Sequence, residues 1–204
     1  MLPKYIAHLS KDKKFAAVLA KQKPLEVTLR EDVWLNLVAS IMSQQLSTKV
    51  ATVIRNRFVD HYRGAPTPQL VLETEISILR SLGLSNAKAQ YIRNISHFAL
   101  GEGMAFEQLQ KMTNEEVIAY LTQIKGVGRW TAEMLLMFTL GREDVFAVDD
   151  LGIQQAMTTI YRLNADDKKA MKEKMLKIST KWSPYRTYAC MHLWRYLGGP
   201  AAGA

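Results

Sequence analysis

Apolar residues recur at helical spacing along almost the whole chain, and this pattern constrains the fold more than any other feature. Two stripes of this kind, on successive segments, contain Trp34, Leu35, Val38, Ile41 and Met42, and then Val50, Val53, Ile54 and Phe58. The period-two alternation that is typical of half-buried strands does not extend over the length of a strand. The pattern therefore predicts an all-α fold.

The amount of apolar sequence is sufficient for a packed core. The chain has 204 residues, of which 48% are hydrophobic, so it can bury a core without disulfides or metals as one compact unit. Its single cysteine, Cys190, excludes an internal disulfide and a cysteine-rich zinc or iron-sulfur site. We expect Cys190 to be a small buried hydrophobic residue.

The charge balance favours a polyanionic partner. Lysine and arginine number 27 against 19 acidic residues, which leaves a net charge of +8. The start, Met1 to Lys4, lacks the apolar stretch of a secretory signal, and no apolar run approaches the length of a membrane span. We therefore expect a soluble intracellular protein.

Several polar residues have the spacing of helix caps. Ser47 and Ser85 each precede a helical stripe, and Thr113 with Glu116 has the spacing of a capping box. Thr74 is expected to cap a short helix, and the pair Ser183–Pro184 is expected to open the last one. The tail that follows this helix should be frayed.

A glycine hairpin, Lys125–Gly128, precedes an apolar segment, Arg129–Leu140, that is typical of a buried helix. Two glycines one residue apart allow a tight turn with amide groups directed outward beside a helix N-terminus, where a phosphate can bind. A plain turn between two helices explains the same residues. The spacing alone leaves both interpretations open.

The acidic pair Asp149–Asp150 follows the apolar segment Val145–Val148 at a predicted helix start. One aspartate is an ordinary cap, and the helix dipole favours a negative charge at this point. Such a charge can stabilise a positive charge that develops in a reaction. Two structural aspartates also explain the pair.

These segments together resemble a known superfamily. Ile124–Ala132 followed by Asp144–Asp150 resembles the helix-hairpin-helix, glycine/proline-rich loop and aspartate signature of DNA glycosylases. Within that superfamily the chain is most similar to 3-methyladenine DNA glycosylase II, on the basis of Ile41–Ser47, Leu82–Ala89 and Trp182–Trp194. The chain departs from many members by having Val148 where they have proline, and we expect a minimal form without the extra N-terminal β-containing domain that some members carry.

The resemblance implies an all-α, two-lobed helix-hairpin-helix DNA glycosylase fold with the active cleft between the lobes. One helical lobe with the hairpin covers about residues 31–135. The second covers about residues 1–30 and 136–204. The chain is expected to be a single catalytic unit and a monomer.

The resemblance also implies roles for individual residues. Asp150 is the catalytic carboxylate, with Asp149 as the cap beside it. The base pocket is expected to contain Trp130, Met134, Tyr185 and Trp194, although core packing explains the same residue types. The expected DNA contacts are Gln45, Leu46, Gly126, Val127, Gly128, Arg129 and Thr131. Gln45 or Leu46 is expected to fill the stack that the flipped base leaves.

No cofactor is expected to be required. In several relatives the hairpin carbonyls hold a monovalent cation, and the matching positions for a potassium or sodium ion are Thr122, Ile124 and Val127. The four-cysteine iron-sulfur cluster of other relatives is impossible with one cysteine. Bifunctional relatives use a lysine where this chain has Trp130, and an indole cannot form a Schiff base, so no lyase activity is expected.

The implied reaction is hydrolysis of the N-glycosidic bond of alkylated purines, such as 3-methyladenine and 7-methylguanine, in double-stranded DNA that contains damaged bases. It is the first step of base excision repair. His192 lies close enough in sequence to Trp194 to be considered as a proton donor. The alternatives are a glycosylase for mismatched, deaminated or oxidised bases, and a non-catalytic helix-hairpin-helix module that only binds DNA.

Overall fold

The computed structural model describes residues 2–198, and helices make up the regular structure of this range. The α-helices are α1 Lys4–Leu9, α2 Lys13–Leu19, α3 Val33–Ser43, α4 Thr48–His61, α5 Pro68–Glu73, α6 Ile76–Ser81, α7 Asn86–Gly101, α8 Phe106–Gln110, α9 Asn114–Leu121, α10 Arg129–Phe138, α11 Leu151–Tyr161, α12 Lys168–Ser179 and α13 Arg186–Tyr196. A 3-10 turn, Thr180–Trp182, precedes α13. The described range contains no strand, which confirms the all-α prediction. From Gly199 onward the tail lies outside it.

Three of the predicted caps are confirmed. The Ser47 hydroxyl accepts a hydrogen bond from the Val50 amide at 3.4 Å, at the start of α4. The Ser85 hydroxyl accepts one from the Lys88 amide at 3.2 Å, at the start of α7. Thr113 and Glu116 form a reciprocal capping box at α9. Each cap satisfies an amide that the first helical turn leaves without a partner.

The prediction for Thr74 is wrong. Thr67, followed by Pro68, caps a helix that the sequence did not indicate, α5, by accepting from the Leu70 amide at 3.3 Å. Thr74 follows the end of α5, and its hydroxyl donates to the Leu70 carbonyl at 2.8 Å. Because this hydroxyl is bound to the preceding helix, α6 begins after Glu75 without a side-chain cap.

The last helix also begins later than predicted. The Ser183 hydroxyl donates to the Asp144 carboxylate at 2.8 Å, and the Ser183–Pro184 peptide bond is cis. Ser183 is therefore bound to a distant loop and does not cap a helix. α13 begins at Arg186, preceded by Tyr185 without a side-chain cap.

The chain divides into two compact units. The continuous unit contains residues 29–140, and its buried core is formed by apolar faces of α3, α7 and α10, such as Leu37, Ile92 and Leu136. The discontinuous unit contains the described parts of residues 1–28 and 141–204. Its largest fully buried side chain is Trp182, whose ring centroid lies 4.9 Å from that of Phe15.

None of the helices in residues 2–198 combines the length and the apolar character that crossing a membrane requires.

Candidate functional site

The hairpin, residues 124–128 between α9 and α10, requires glycine at its first glycine position. Gly126 has a φ of +107°, a conformation that L-residues rarely adopt. A Cβ atom at this position would lie 2.2 Å from Cγ of Tyr91. The turn is closed by the Val127 amide, which donates to the Ile124 carbonyl at 2.9 Å. Both the turn and its close packing on α7 therefore depend on Gly126.

Gly128 differs from Gly126 because its conformation and surroundings do not demand glycine. Its φ is −94°, and an added Cβ would meet no described atom within 4 Å. It is the N-cap residue of α10 and provides no side-chain hydrogen bond there. The N-cap side chain therefore provides no acceptor to α10, and the space around Gly128 permits close approach to the backbone.

Arg129, the first residue of α10, is held by two carboxylates. Its guanidinium donates to both carboxylate oxygens of Glu115, at 2.8 and 3.1 Å, and Nε donates to Glu133 at 3.1 Å. Hydrogen bonding to Glu115 is the main cause that raises its pKa. Arg129 therefore joins α9 to the start of α10 within the hairpin region, and its contact with DNA stays a prediction.

The 44–46 loop contains the two residues expected to fill the DNA stack. Gln45 has a φ of +59° and is exposed, and Leu46 is 38% exposed. The neighbouring Gln44 points elsewhere: its side-chain amide donates to the Thr131 hydroxyl at 3.2 Å. Thr131 is buried, so its side chain helps to hold this loop to α10.

Lys88 is a residue of this region whose contacts the sequence did not indicate. Its ammonium group donates to the Met42 carbonyl at 2.9 Å and to the Gln44 carbonyl at 2.7 Å, at the end of α3. Burial lowers the pKa of Lys88. The absence of glycine directly after Ser43 was the available signal, because the last carbonyls of a helix then need another donor.

Asp150 is the N-cap of α11 and is fixed from two sides. Its Oδ1 accepts from the Ile153 amide at 2.8 Å and from the Trp194 indole Nε1–H, also at 2.8 Å. Gly152 lies beneath the indole, because an added Cβ would be 3.1 Å from Trp194 Cδ1 and 3.2 Å from Asp150 Oδ1. The carboxylate is thus oriented by a helix start and by a side chain of α13.

Asp149 has a different environment from Asp150, and the prediction that it is the cap is wrong. Its carboxylate forms an ion pair with Lys172 at 2.6 Å, and the two side chains are 50% and 40% exposed. The chain path places the amide of Ile153 against Asp150, so only Asp150 caps the helix. Of the pair, Asp150 alone combines partial burial with two hydrogen bonds to one oxygen.

The four residues predicted for the base pocket occur as two pairs. Trp130 and Met134 lie four residues apart on α10 of the continuous unit, hence on one face of the helix; Trp130 is 37% exposed and Met134 is buried. Trp194 and Tyr185 belong to the discontinuous unit and are half-buried. Tyr185 contacts the ring of Tyr188 edge-on. Met134 therefore packs in the core, whereas Trp130 is partly exposed.

His192 is buried in the discontinuous unit and is not suited to donate a proton. Its Nδ1 lies 2.7 Å from Gln22 Oε1 and its Nε2 lies 3.4 Å from the Tyr5 hydroxyl. Burial, with a smaller contribution from Arg195, lowers its pKa to about 4. The imidazole is therefore neutral near pH 7 and has no extra proton to give.

Metal-binding side chains do not cluster in residues 2–198: no group of three or more histidine, cysteine, aspartate or glutamate residues is placed to hold an ion. Cys190 is fully buried, as expected. At the hairpin, the ligands available to a cation are backbone carbonyls, and the Ile124 carbonyl already accepts one hydrogen bond. Since a carbonyl oxygen has two lone pairs, this bond is compatible with a monovalent cation.

Comparison with known proteins identifies relatives along nearly the full chain. DNA-3-methyladenine glycosylase 1 of Schizosaccharomyces pombe is 34% identical over 186 residues, which is 90% of this chain and 80% of the relative. A putative DNA-3-methyladenine glycosylase of Bacillus subtilis is 32% identical over 92% of this chain and 67% of its own length.

Solved structures agree with these relatives. The S. pombe 3-methyladenine DNA glycosylase in complex with abasic DNA has a TM-score of 0.84 at 32% identity, and the match covers 99% of this chain and 100% of that one. The family model described as "HhH-GPD superfamily base excision DNA repair protein" matches residues 38–181, which include the hairpin and Asp150. The chain therefore belongs to the HhH-GPD superfamily of base excision DNA repair proteins.

Proposed function

We propose that this chain is a monofunctional DNA glycosylase that hydrolyses the N-glycosidic bond of alkylated purines in double-stranded DNA. The observation that carries the proposal is the placement of Asp150, which two hydrogen bonds fix at a helix start in a chain whose relatives are named 3-methyladenine glycosylases. An ordinary N-cap requires only the bond from the Ile153 amide, and the second bond, from the Trp194 indole, supports a role beyond capping.

The proposed role of Asp150 is electrostatic. Cleavage of a glycosidic bond passes through a transition state in which the sugar carries positive charge, and a carboxylate stabilises that charge. The Ile153 amide and the Trp194 indole both donate to Oδ1, so the carboxylate is oriented before substrate arrives. A preoriented charge does not have to reorganise during the reaction.

The proposed DNA contacts lie in the continuous unit. The backbone of the hairpin, at Gly126–Gly128, binds a phosphate beside the open N-terminus of α10. Gln45 or Leu46 enters the stack when the damaged nucleotide flips out. The S. pombe structural relative was solved with abasic DNA, which supports a duplex as the partner of this chain. We expect the protein to act as a monomer and inside the cell, where its substrate is.

The proposed substrates are purines that alkylation has made cationic, such as 3-methyladenine and 7-methylguanine. A positively charged base leaves without being protonated, and the lowered pKa of His192, about 4, argues against the one general acid that the sequence analysis considered. Stacking on a tryptophan adds about 0.5–2 kcal/mol for a cationic ring. This corresponds to about thirtyfold in rate at most, so the lability of the alkylated bond provides much of the preference.

The proposal also excludes lyase chemistry. Trp130 occupies the position where bifunctional relatives have a lysine, and an indole nitrogen does not attack the sugar to form an imine. A potassium or sodium ion on the carbonyls of Thr122, Ile124 and Val127 would add positive charge to the phosphate site; the reaction itself needs no cofactor.

The test is single-turnover base release from matched duplexes that each carry one lesion. We expect 3-methyladenine and 7-methylguanine to be released faster than hypoxanthine or a mismatched thymine. Borohydride should trap no covalent complex, and strand cleavage should require added alkali. Faster release of hypoxanthine or of a mismatched pyrimidine would contradict the assignment to alkylation repair, and an absence of any release would leave only DNA binding.

A further inference from the structure

One face of α7 contacts both of the proposed DNA-binding elements in the continuous unit. Lys88, Tyr91 and Asn94 are spaced three residues apart, so their side chains lie within about 120° around the helix and span about 9 Å along it. Ile92 and Ile95 of α7 are fully buried, and the helical period places Ile95 between Lys88 and Tyr91 around the helix. The three polar side chains therefore border the buried side of α7, where they can reach neighbouring backbone.

At one end of this face, Lys88 holds the 44–46 loop. Its ammonium donates to the carbonyls of Met42 and Gln44, at 2.9 and 2.7 Å. A positive charge is favoured at the C-terminal end of a helix, which is where α3 ends. The backbone just before Gln45 and Leu46 is thereby fixed, while these two side chains remain exposed.

At the other end, the hairpin rests on the same face. The Asn94 side-chain amide donates to the Lys125 carbonyl at 2.9 Å. The Tyr91 ring lies so close to Gly126 that a Cβ would be 2.2 Å from its Cγ. The position of the hairpin backbone is thus set by residues of α7.

A third contact joins the hairpin end of α10 back to the 44–46 loop, so that the contacts form a closed ring of interactions. The Gln44 side chain donates to Thr131 in the first turn of α10, directly after the hairpin. The path runs from the 44–46 loop through Lys88 and α7 to Asn94, on to the hairpin, and through Thr131 back to Gln44. Each of these links is a hydrogen bond or a run of backbone.

We propose that this ring sets the distance between the hairpin and the 44–46 loop, so that binding of a phosphate at the hairpin determines where Leu46 enters the duplex. Lys88 and Asn94 are positioning residues in this proposal. It rests on the proposed function, because it assigns the two elements to phosphate binding and stack filling. Its consequence is that loosening the ring impairs base flipping more than it impairs binding of undamaged DNA.

The test uses the full chain with Lys88→Met, which keeps the length of the side chain and removes its donors. The matched control is Lys174→Met, which removes the same charge from an exposed position on α12. Flipping is measured by the fluorescence of 2-aminopurine opposite an abasic-site analogue, so this measurement does not depend on base release. Affinity for an undamaged duplex is measured at several salt concentrations, together with single-turnover release of 3-methyladenine.

We expect Lys88→Met to lower both the fluorescence change and the release rate about tenfold, as the loss of charged hydrogen bonds of this kind does. The affinities of Lys88→Met and Lys174→Met for undamaged DNA should differ by less than about threefold. Their salt slopes should be the same, because Lys88 contacts carbonyls and not phosphate. A salt slope lower by about one would instead identify Lys88 as a phosphate contact and overturn the proposal.

Asn94→Ala, an exposed amide at the other end of the face, provides the second variant if Lys88→Met does not fold. It should also reduce flipping, and the double variant should lose less than the product of the single effects, because either change already opens the ring. Normal flipping in either folded single variant, or fully independent effects, would overturn the proposal. Normal flipping by the unaltered chain without base release would contradict the glycosylase assignment and leave the ring in place.

Discussion

The N-termini of α10 and α11 are used in opposite ways. α10 begins after Gly128, which supplies no side-chain cap, whereas α11 begins at Asp150, whose carboxylate caps the helix itself. Both positions have the same positive dipole end. In our proposal the first binds an anion from outside the protein, a DNA phosphate, and the second holds a charge that the protein supplies. The proposed phosphate site and the proposed catalytic carboxylate then depend on the same kind of helix end with different residues at the N-cap.

The largest test of this difference is Asp150→Asn. Asparagine caps a helix as well as aspartate does, so the free energy of unfolding should change little. Without the negative charge, single-turnover release of 3-methyladenine should fall by a factor of about 10³, a size typical of a preoriented electrostatic group. Affinity for the duplex should hold or rise, because a negative group is removed near phosphates.

Asp149→Asn is the matched control for this variant. The Asp149–Lys172 pair is exposed, and such pairs contribute about 0–1 kcal/mol. Its release rate should therefore stay within about threefold of the unaltered chain. Equal losses from both variants would mean that the two carboxylates act together and that the distinction between them is wrong.

The second test concerns the hairpin. Gly126→Ala should lower the free energy of unfolding by about 3 kcal/mol, because it adds a side chain at positive φ and against the Tyr91 ring. Gly128→Ala should leave stability within about 0.5 kcal/mol, since its Cβ enters open space. Urea unfolding measures both.

Gly128→Asp then separates stability from binding. It should fold and should bind every duplex more weakly, whatever its sequence, because the contact is to phosphate. A folded Gly128→Asp protein with unchanged affinity would show that the hairpin is only a turn between helices.

The third test asks whether a proton donor accompanies the charge at α11. The pKa of His192 is lowered from 6.5 to about 4 by burial, so the unfolded chain binds a proton between these pH values and the folded chain does not. The free energy of unfolding should thus fall by about 2 kcal/mol between pH 7 and pH 5 through this group alone. His192→Gln should remove that part of the pH dependence.

His97→Gln, at an exposed histidine, is the control for the loss of an imidazole. Over the same range, the release rate of 3-methyladenine should show no step that His192→Gln abolishes. Loss of such a step in the variant would make His192 a participant in proton transfer.

The smallest effect is expected for Trp194→Phe, which keeps an aromatic ring and removes the indole donor to Asp150. One charge-assisted hydrogen bond corresponds to roughly tenfold in release rate. Trp34→Phe is a matched control, because it removes an indole that donates to Ser96 in the core of the continuous unit. It should lower stability without a comparable effect on the rate; equal rates for the two variants would show that Trp194 does not orient Asp150.

The features that could be predicted from the sequence are those whose partners are near in the chain. The caps at Ser47, Ser85 and Thr113 each bind an amide three residues ahead, and the helical period requires only neighbouring turns. The prediction of a cap at Thr74 was wrong because a second candidate, Thr67 followed by Pro68, lies nearby in the chain and is the residue that caps a helix. Short-range sequence patterns identify candidate cap residues, but they do not determine which of two neighbouring candidates caps a helix.

Features that depend on distant backbone could not be predicted. Lys88 binds carbonyls of residues 46 and 44 positions away. The missing glycine after Ser43 indicates that these carbonyls need a donor, but it does not indicate which residue supplies it. The different contacts of Asp149 and Asp150 likewise depend on the path of the chain and on Trp194, which lies 44 positions after Asp150. The resemblance located the Asp-Asp motif, and only the structure separates the surface residue from the cap.

Gly152 links the stability of helix α11 to the orientation of the Asp150 carboxylate. A glycine within a helix costs up to about 1 kcal/mol relative to alanine, so random mutation followed by selection for thermal robustness alone would tend to replace it. Any replacement would press its first carbon against Trp194 and the Asp150 oxygen together. In the proposed mechanism, a substitution at Gly152 therefore has to displace the indole or the carboxylate by a few tenths of an ångström, so any gain in helix stability would come with a changed orientation of Asp150.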